Sequence, residues 1–385
     1  MPLAPDELRA IARGYAGPVQ VASIGSHSAL DISDGAVEEG FRTIVLAQKG
    51  RDATYARYYR AERDAQGRIQ RGCVDETWSF PKFSDAAAPP VQERLRAARA
   101  VVVPNRALSS YVPLDVLENE FRVPLVGSRA LLRVEERTER ENYYALLERA
   151  GIPIPKAVAA PEAIRRLTIV KLPHATRRLE RGFFTVASPE EFHAKSEALV
   201  RDGVIRHDDL AAARLEEYVL GPVFNFNFFR SPLAPEASSL ELLGVDERRE
   251  SSLDGLVRLP AAQQLSLGGS AATPRYTVVG HGSLTVRESI LERVFDLAER
   301  FIAEAARREP PGMIGPFTLQ TCIDPDGEPV VFDVATRIGG GTNVHLAVGH
   351  AYANALWRRP MSTGRRIAVE LKRAIDTHRL EEIVT

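Results

Sequence analysis

The residues best equipped for chemistry lie near the C-terminus. The run Val330-Val331-Phe332-Asp333-Val334-Ala335-Thr336-Arg337 reads as an apolar strand that ends in Ile338-Gly339-Gly340-Gly341-Thr342-Asn343. Gly315–Ile323 reads as a second strand, and Asp324-Pro325-Asp326-Gly327 supplies turn chemistry between the two. A symmetric hairpin pairs Ile323 with Glu328 and Gln320 with Val331. Alternation then puts Thr318, Gln320 and Cys322 on one face with Val331, Asp333 and Ala335. Gln320 and Asp333 fall diagonally across the hairpin, roughly 7–8 Å apart, and both reach one hard cation that keeps several waters. A buried polar pair satisfied by its neighbours is the plainer alternative. A carboxylate, an amide, Arg337 and a glycine loop are what Mg²⁺ and nucleotide phosphates require, so the hairpin points to ATP.

The elements that position this hairpin follow from apolar patterning. Residues 7–16 suggest a short helix. Val19–Ile24 reads as a buried strand, Gly25–Ser28 as a turn, Ala29–Glu39 as a helix ending at Gly40, and Phe41–Ala47 as the next strand. That order predicts a parallel α/β unit. Residues 100–104 and 123–127 read as further strands, and Ala86–Pro90 as a linker. Arg140–Ala150 is an amphipathic helix. The stiff Gly151-Ile152-Pro153-Ile154-Pro155-Lys156 cannot continue it and leads into a second domain. There, residues 168–172 form a strand, 188–202 a helix and 213–220 another strand before a Gly-Pro turn. Val223–Phe229 alternates Phe with Asn and Val, the pattern of a half-exposed strand. Residues 290–308 and 366–374 complete the helices.

Composition narrows the function. The 385 residues carry a net charge of −1, 44% hydrophobic and 26% charged residues. No global field favours nucleic acid or an anionic membrane. No apolar run approaches the length of a membrane span. No secretory signal is visible at the N-terminus, so a cytoplasmic protein is expected. Two cysteines, Cys73 and Cys322, make neither a disulfide scaffold nor a thiolate metal site. Only six lysines occur, so Lys171, at the end of a β-branched strand, stands out. A buried ammonium there needs an anion; a solvent-facing strand-end lysine is the alternative.

Several segments together resemble one family. They are Gly25-Ser26-His27-Ser28-Ala29-Leu30-Asp31-Ile32, Lys49-Gly50-Arg51, Glu216-Glu217-Tyr218-Val219-Leu220-Gly221, Asp254–Pro260, Pro311–Phe317 and Gly340-Gly341-Thr342-Asn343. In this order they resemble the archaeal PurP family, the formate-dependent AICAR formyl-ligases, over essentially the whole length. The resemblance implies an α/β and α+β chain: an ATP-grasp fold with an N-terminal Rossmann-like (pre-ATP-grasp) α/β domain. The implied division is 1–127 for the ribonucleotide-binding domain, 128–220 for the first ATP-grasp lobe with its lid, and 221–385 for the second lobe with the metal site. The implied cofactors are ATP and Mg²⁺ (or Mn²⁺). The implied substrates are formate and AICAR or a related ribonucleotide, in a homo-oligomer.

The same resemblance assigns residues. Lys171 and Arg337 contact ATP phosphates, with Gly182 in the lid. Glu216, Glu217, Tyr218 and Val219 form the hinge for adenine and ribose. Gln320 and Asp333 match the metal positions. His27, with Ser26 and Ser28, lies where a strand hands over to a helix N-terminus, at the sheet edge where α/β proteins bind ligands; it matches a histidine of the AICAR and formate pocket. Lys49, Arg51, Ser252 and Asn343 complete the substrate set; a solvated charge pair is the alternative for the first two, and a helix cap for Asn343. Four departures stand out. The lid segment 173–182 retains only Gly182. Asn105-Arg106-Ala107 replaces a His-Gly-Ser segment, Ser252 falls where an asparagine is expected, and Asp333 is shorter than the usual glutamate. They keep open a ligase for another acid–amine pair and a non-catalytic nucleotide-binding role.

Overall fold

The computed structural model describes residues 3, 5–15, 17–173, 182–267 and 276–385. The lid expected at 173–182 therefore falls mostly outside the described residues. Strands β1 (Gln20–Ile24) and β2 (Arg42–Gln48) flank the Ala29–Glu38 helix. A small hairpin of β3 (Glu62–Arg63) and β4 (Ile69–Arg71) precedes β5 (Glu76–Phe80) and β6 (Ala100–Val102). The order β5-β2-β1-β6 is parallel throughout. Val21, Ala22, Ile24 and Ile44 to Ala47 are buried, as a sheet covered on both faces requires. The strand expected at 123–127 is reduced to single bridges, Val102 to Leu125 and Val126 to Val384. The expected linker at Ala86–Pro90 is instead a 3₁₀ turn (Phe83–Ala87) running into a helix (Pro89–Ala97). Ala86 and Ala87 are buried against Trp78 and Leu95, and proline is at home in the first turn of a helix.

A three-stranded antiparallel sheet, β8-β7-β9, comes next: β7 (Thr168–Lys171), β8 (Phe183–Val186) and β9 (Arg214–Glu217). Its inner face packs Val170, Leu172, Phe184 and Leu215 against the Pro189–Arg201 helix. A larger antiparallel sheet has the order β12-β11-β10-β13-β14. Its members are β10 (Val223–Arg230), β11 (Leu240–Glu250), β12 (Val278–Ser283), β13 (Gly315–Ile323) and β14 (Pro329–Ala335). Phe226, Phe228, Phe317 and Leu319 cover one face with the Glu288–Arg308 helix. Sequence patterning missed β11 and β12, although β11 is the longest strand among the described residues.

β10 is not half-exposed. It is a central strand, with Asn225 and Asn227 buried alongside Phe226, Phe228 and Phe229. The hairpin register also differs from the symmetric one. Ile323 pairs with Pro329 and Thr321 with Val331, and a bulge between Gln320 and Thr321 sets Gln320 directly opposite Asp333. Val331 then joins the apolar core with Leu319 and Val334. A bulge adds one residue to one strand and re-aims the residues beyond it, and no symmetric pairing contains it.

The cores do not keep to chain order. Leu131 and Tyr143–Leu147 pack under the large sheet. The C-terminal helix, Thr363–Asp376, returns to the first sheet, where Ile367 and Leu371 meet Val21 and Ile32. Gly35 and Gly364 let the two helix backbones touch, since a Cβ on either overlaps the other's main chain. Asp31 accepts from Gly364 N at 3.0 Å across the contact. Among the described residues no helix is long and apolar enough to cross a membrane.

Candidate active site

The polar face of the large sheet forms the floor of a cleft. Asn225 sits between Asp246 and Gln320 in register, Asn227 is opposite Thr318, Gln320 is opposite Asp333, and Arg248 is opposite His281. Alternation turns all of these side chains away from the phenylalanine core. The cleft has a volume of about 1430 Å³. Single-ligand pockets run to roughly 1,000 Å³, so this one has room for a nucleotide and a second substrate together.

Hydrogen bonds order the floor. Asp246 is fully buried; Asn225 Nδ2 donates to it at 2.8 Å, Asn227 Nδ2 at 2.7 Å, and His281 Nδ1 lies 2.8 Å away. Burial pushes the Asp246 carboxyl up, but the bonds from His281, Asn225 and Asn227 outweigh it and hold the group below its ordinary value. Thr318 Oγ1 donates to Asn227 Oδ1 at 2.8 Å. Arg248 donates to Gln320 Oε1.

The glycine loop lies directly on this floor. A Cβ on Gly339 overlaps Asn227 and Thr318, and one on Gly341 overlaps Asp246 and His281. On the other side Gly340 faces His27, and Ser28 Oγ donates to the Gly339 carbonyl. Close approach thus requires glycine at 339 and 341. The loop stitches the first sheet to the large one.

A second cluster joins the small sheet to the large one. Lys171 Nζ pairs with Glu216 and donates to Tyr144 Oη at 2.6 Å and to the Phe332 carbonyl at 3.2 Å. Tyr144 Oη donates to Glu216 at 2.9 Å, and Arg214 Nε donates to it at 3.3 Å. Burial draws the Lys171 ammonium below its ordinary value, with Glu216 opposing. The expectation of a buried lysine with an anion partner is met. The Phe332 contact places it one residue from Asp333.

Arg337 is held by Glu135, whose Oε2 accepts from Nη2 at 3.0 Å; Thr336 N donates to the other carboxylate oxygen at 2.7 Å. Burial lowers the Arg337 guanidinium from its ordinary value, and Glu135 opposes. His27, Arg51, Gln320, Asp333 and Arg337 all line the cleft.

The other sequence candidates are placed around it, off its wall among the described residues. The Glu216 carboxylate is paired with Lys171, and that of Glu217 lies 3.5 Å from Arg166. The N–H groups of Glu217 and Tyr218 donate to the carbonyls of Lys156 and Leu167, and the Val219 carbonyl faces Cys322 Sγ at 3.6 Å. Gly182 caps the strand pair through its carbonyl to Leu172 N, 2.7 Å. Ser26 and Ser28 shape the turn into the Ala29–Glu38 helix, while Lys49 is exposed. Ser252, at φ 59°, starts a short helix after β11. Asn343 Oδ1 accepts from Asp31 N at 3.1 Å, the helix-capping alternative. Asn105 also has a structural role, since its Nδ2 donates to the carbonyls of Ile24 and His27, at 2.8 and 3.0 Å.

Sequence reasoning missed Asp246, His281, Arg248, Glu135 and Tyr144. Asn225 and Asn227 carried a usable signal. Asparagines alternating with phenylalanines suit a central strand whose polar face lines a cleft as well as they suit solvent.

A Mg²⁺ ion binds few protein oxygens and takes the rest from phosphates and water. Directly opposed, Gln320 and Asp333 offer one amide and one carboxylate oxygen on the cleft floor, which fits that donor set. No group of three His, Cys, Asp or Glu residues able to hold a metal occurs among the described residues.

Two family models cover most of the chain, a protein of unknown function (DUF1246) over residues 21–158 and a domain of unknown function (DUF1297) over 191–385. The chain is 42% identical to the 5-formaminoimidazole-4-carboxamide-1-(beta)-D-ribofuranosyl 5'-monophosphate synthetase of Methanopyrus kandleri, covering 95% of both. It is 39% identical to the enzyme of the same name from Methanothermobacter thermautotrophicus, over 99% of this chain and 98% of that one. The chain belongs to this synthetase family. Among solved structures, the IMP biosynthesis protein PurP from Thermococcus kodakaraensis matches with a TM-score of 0.68 at 28% identity, covering 95% of this chain and all of that one. N5-carboxyaminoimidazole synthetase from Staphylococcus aureus, complexed with ADP, matches with a TM-score of 0.53 at 12% identity, over 85% of this chain and 72% of that one. The fold is ATP-grasp with an N-terminal Rossmann-like domain, as the sequence resemblance implied.

Proposed function

We propose that the protein is an ATP-dependent ligase that joins formate to the amine of AICAR, giving formyl-AICAR, ADP and phosphate. The observation that carries this reading is 39–42% identity, over nearly the whole chain, to synthetases named for that product. The shared cleft of His27, Arg51, Gln320, Asp333 and Arg337 supports it.

Formate attacks the γ-phosphate of ATP to give formyl phosphate, and the ribonucleotide amine then attacks the formyl carbon. Gln320 and Asp333 hold Mg²⁺, which offsets charge on the transferring phosphoryl group. Lys171 and Arg337 serve the phosphates, so each exchanges its present carboxylate partner for a stronger anion. Arg248 is released from Gln320 to do the same. Gly182 and the 173–182 segment form the lid. Glu217, Tyr218 and Val219, with Glu216 behind them, bind adenine and ribose. Ser26, His27, Ser28, Lys49, Arg51, Ser252 and Asn343 serve formate and the ribonucleotide. Most of the rate comes from positioning.

In this reading residues 1–127 bind the ribonucleotide, 128–220 form the first ATP lobe and 221–385 the second. The enzyme works in the cytoplasm as a homo-oligomer. The test is ADP release and formyl-AICAR formation with Mg²⁺-ATP, formate and AICAR, each omitted in turn. Release that requires all three is expected. Release independent of formate or AICAR refutes the assignment.

A further inference from the structure

The proposed second step leaves a proton without an acceptor. When the amine nitrogen bonds to the formyl carbon, it must lose one. The floor of the cleft holds a group suited to take it, and neither the metal pair nor the phosphate cations account for it.

His281 is on edge strand β12, and its ring lines the cleft with 16% of the side chain exposed. Its Nδ1 faces Asp246 Oδ2 at 2.8 Å. Asp246 is itself fixed by Asn225 and Asn227, at 2.8 and 2.7 Å, so the carboxylate can neither rotate nor meet water. A carboxylate accepts only, so Nδ1 is the donor and carries the ring proton. The other nitrogen, Nε2, is then the basic one. This is the carboxylate–imidazole arrangement that orients a general base and stabilises the imidazolium once it forms. Gly341 packs on this pair, and the adjacent Gly340 faces His27 from the opposite wall. The two histidines therefore flank one chamber. A purely structural pair tying β12 to β11 is the competing account. It gives no reason for the ring to line the cleft, or for two buried asparagines to hold Asp246.

We propose that His281 is the proton acceptor of amide formation and Asp246 its positioning residue, an inference that rests on the ligase reading above. The C–N bond forms as the C–O bond to phosphate breaks. The amine proton moves to His281 Nε2 and from there to the departing phosphate.

His281→Asn tests this directly. The asparagine amide sits near the Nδ1 position, so it keeps the bond to Asp246 and deletes only Nε2. Expected is a fall in kcat for formyl-AICAR by roughly 10²- to 10⁴-fold, with wild-type Mg²⁺-ATP affinity and melting temperature. In His281→Ala, added imidazole restores part of the lost turnover. Unchanged kcat in His281→Asn, a parallel loss of Mg²⁺-ATP affinity, or no imidazole rescue in a folded His281→Ala overturns the assignment while leaving the ligase intact. A wild-type enzyme that makes no formyl-AICAR overturns both.

Discussion

The Lys171–Glu216 pair makes a sharp prediction because both side chains are buried and the partners of each are known. Lys171→Ala removes the ion pair, the bonds to Tyr144 and to the Phe332 carbonyl, and the aliphatic stem. The Glu216 carboxylate stays behind, with Tyr144 Oη at 2.9 Å and Arg214 Nε at 3.3 Å. Breaking a buried pair costs about 3–5 kcal/mol, most of it the penalty of the stranded charge. Two surviving donors put this case at the lower end, about 3 kcal/mol. Lys171→Met with Glu216→Gln removes both charges while keeping volume, and costs about 1 kcal/mol. Lys171→Met alone should therefore be less stable than the double variant.

Urea unfolding of the full chain, followed by circular dichroism and compared at constant m, measures these differences. The reasoning fails if Lys171→Met costs less than the double variant. It also fails if the two single changes add without coupling, since contacting charges should couple by about 1–3 kcal/mol. Under the ligase reading both lysine variants also lose turnover. The double variant then separates the catalytic role from the structural one, because it is inactive yet nearly as stable as wild type.

Two buried groups act in opposite directions with pH. Burial, aided by His350, holds His345 down to about 4 from 6.5, so its contribution is present above pH 6.5 and lost, by about 3 kcal/mol, as pH falls to 4. Burial pushes Asp31 up to about 6 from 3.8, so its contribution is full below 3.8 and lost, by about 3 kcal/mol, as pH rises through 6. Relative to wild type between pH 6 and 4, Asp31→Asn should lose more stability on acidification and His345→Gln less, and equal slopes in all three refute both contributions. Gly341→Ala drives a methyl into Asp246 and His281, costing about 1–3 kcal/mol and most of the activity; wild-type melting and turnover would show that the loop is not packed as described. Asp333→Asn should raise the Mg²⁺ concentration needed for half-maximal turnover at least about tenfold without lowering the melting temperature, and an unchanged Mg²⁺ titration removes Asp333 from the metal site.

The parts legible in the sequence were those where one local rule decides. Val19–Ile24, the Ala29–Glu39 helix and the Gln320–Asp333 hairpin each follow from a buried strand pattern, a helix stop or turn residues. The parts that escaped depend on partners distant in sequence. β11 carries Gly244, Asp246, Glu247, Arg248 and Arg249. Its alternation is masked because the polar half of the pattern is buried by other strands rather than wetted. Glu135 showed no signal at all, since its partners Thr336 and Arg337 lie 201 and 202 residues away. His281 was hidden by its setting on a short glycine-flanked edge strand, where strand propensity is weak.

Long-range pairing also explains why the polar face could evolve at all. Asp246, Asn225, Asn227, Thr318 and Gln320 are buried polar groups in the middle of a sheet, and each is expensive unless fully paired. All but Gln320 pair laterally, strand to strand, from His281 to Asp246, from Asp246 to Asn225 and Asn227, and from Asn227 to Thr318; among the described residues Asn225 Oδ1 is left without a partner. Lateral pairing holds these side chains upright, with the glycine loop packed directly on them. Gln320 and Asp333 stand apart from these pairs. Gln320 is bonded to Arg248, and among the described residues the Asp333 carboxylate accepts from its neighbour Val334 N, at 3.0 Å. Under the ligase reading a metal site needs oxygen donors already in place, and Gln320 Oε1 becomes available once Arg248 is drawn to phosphate. The bulge supplies that placement by setting the two residues face to face, whereas the symmetric register would hold them a diagonal apart.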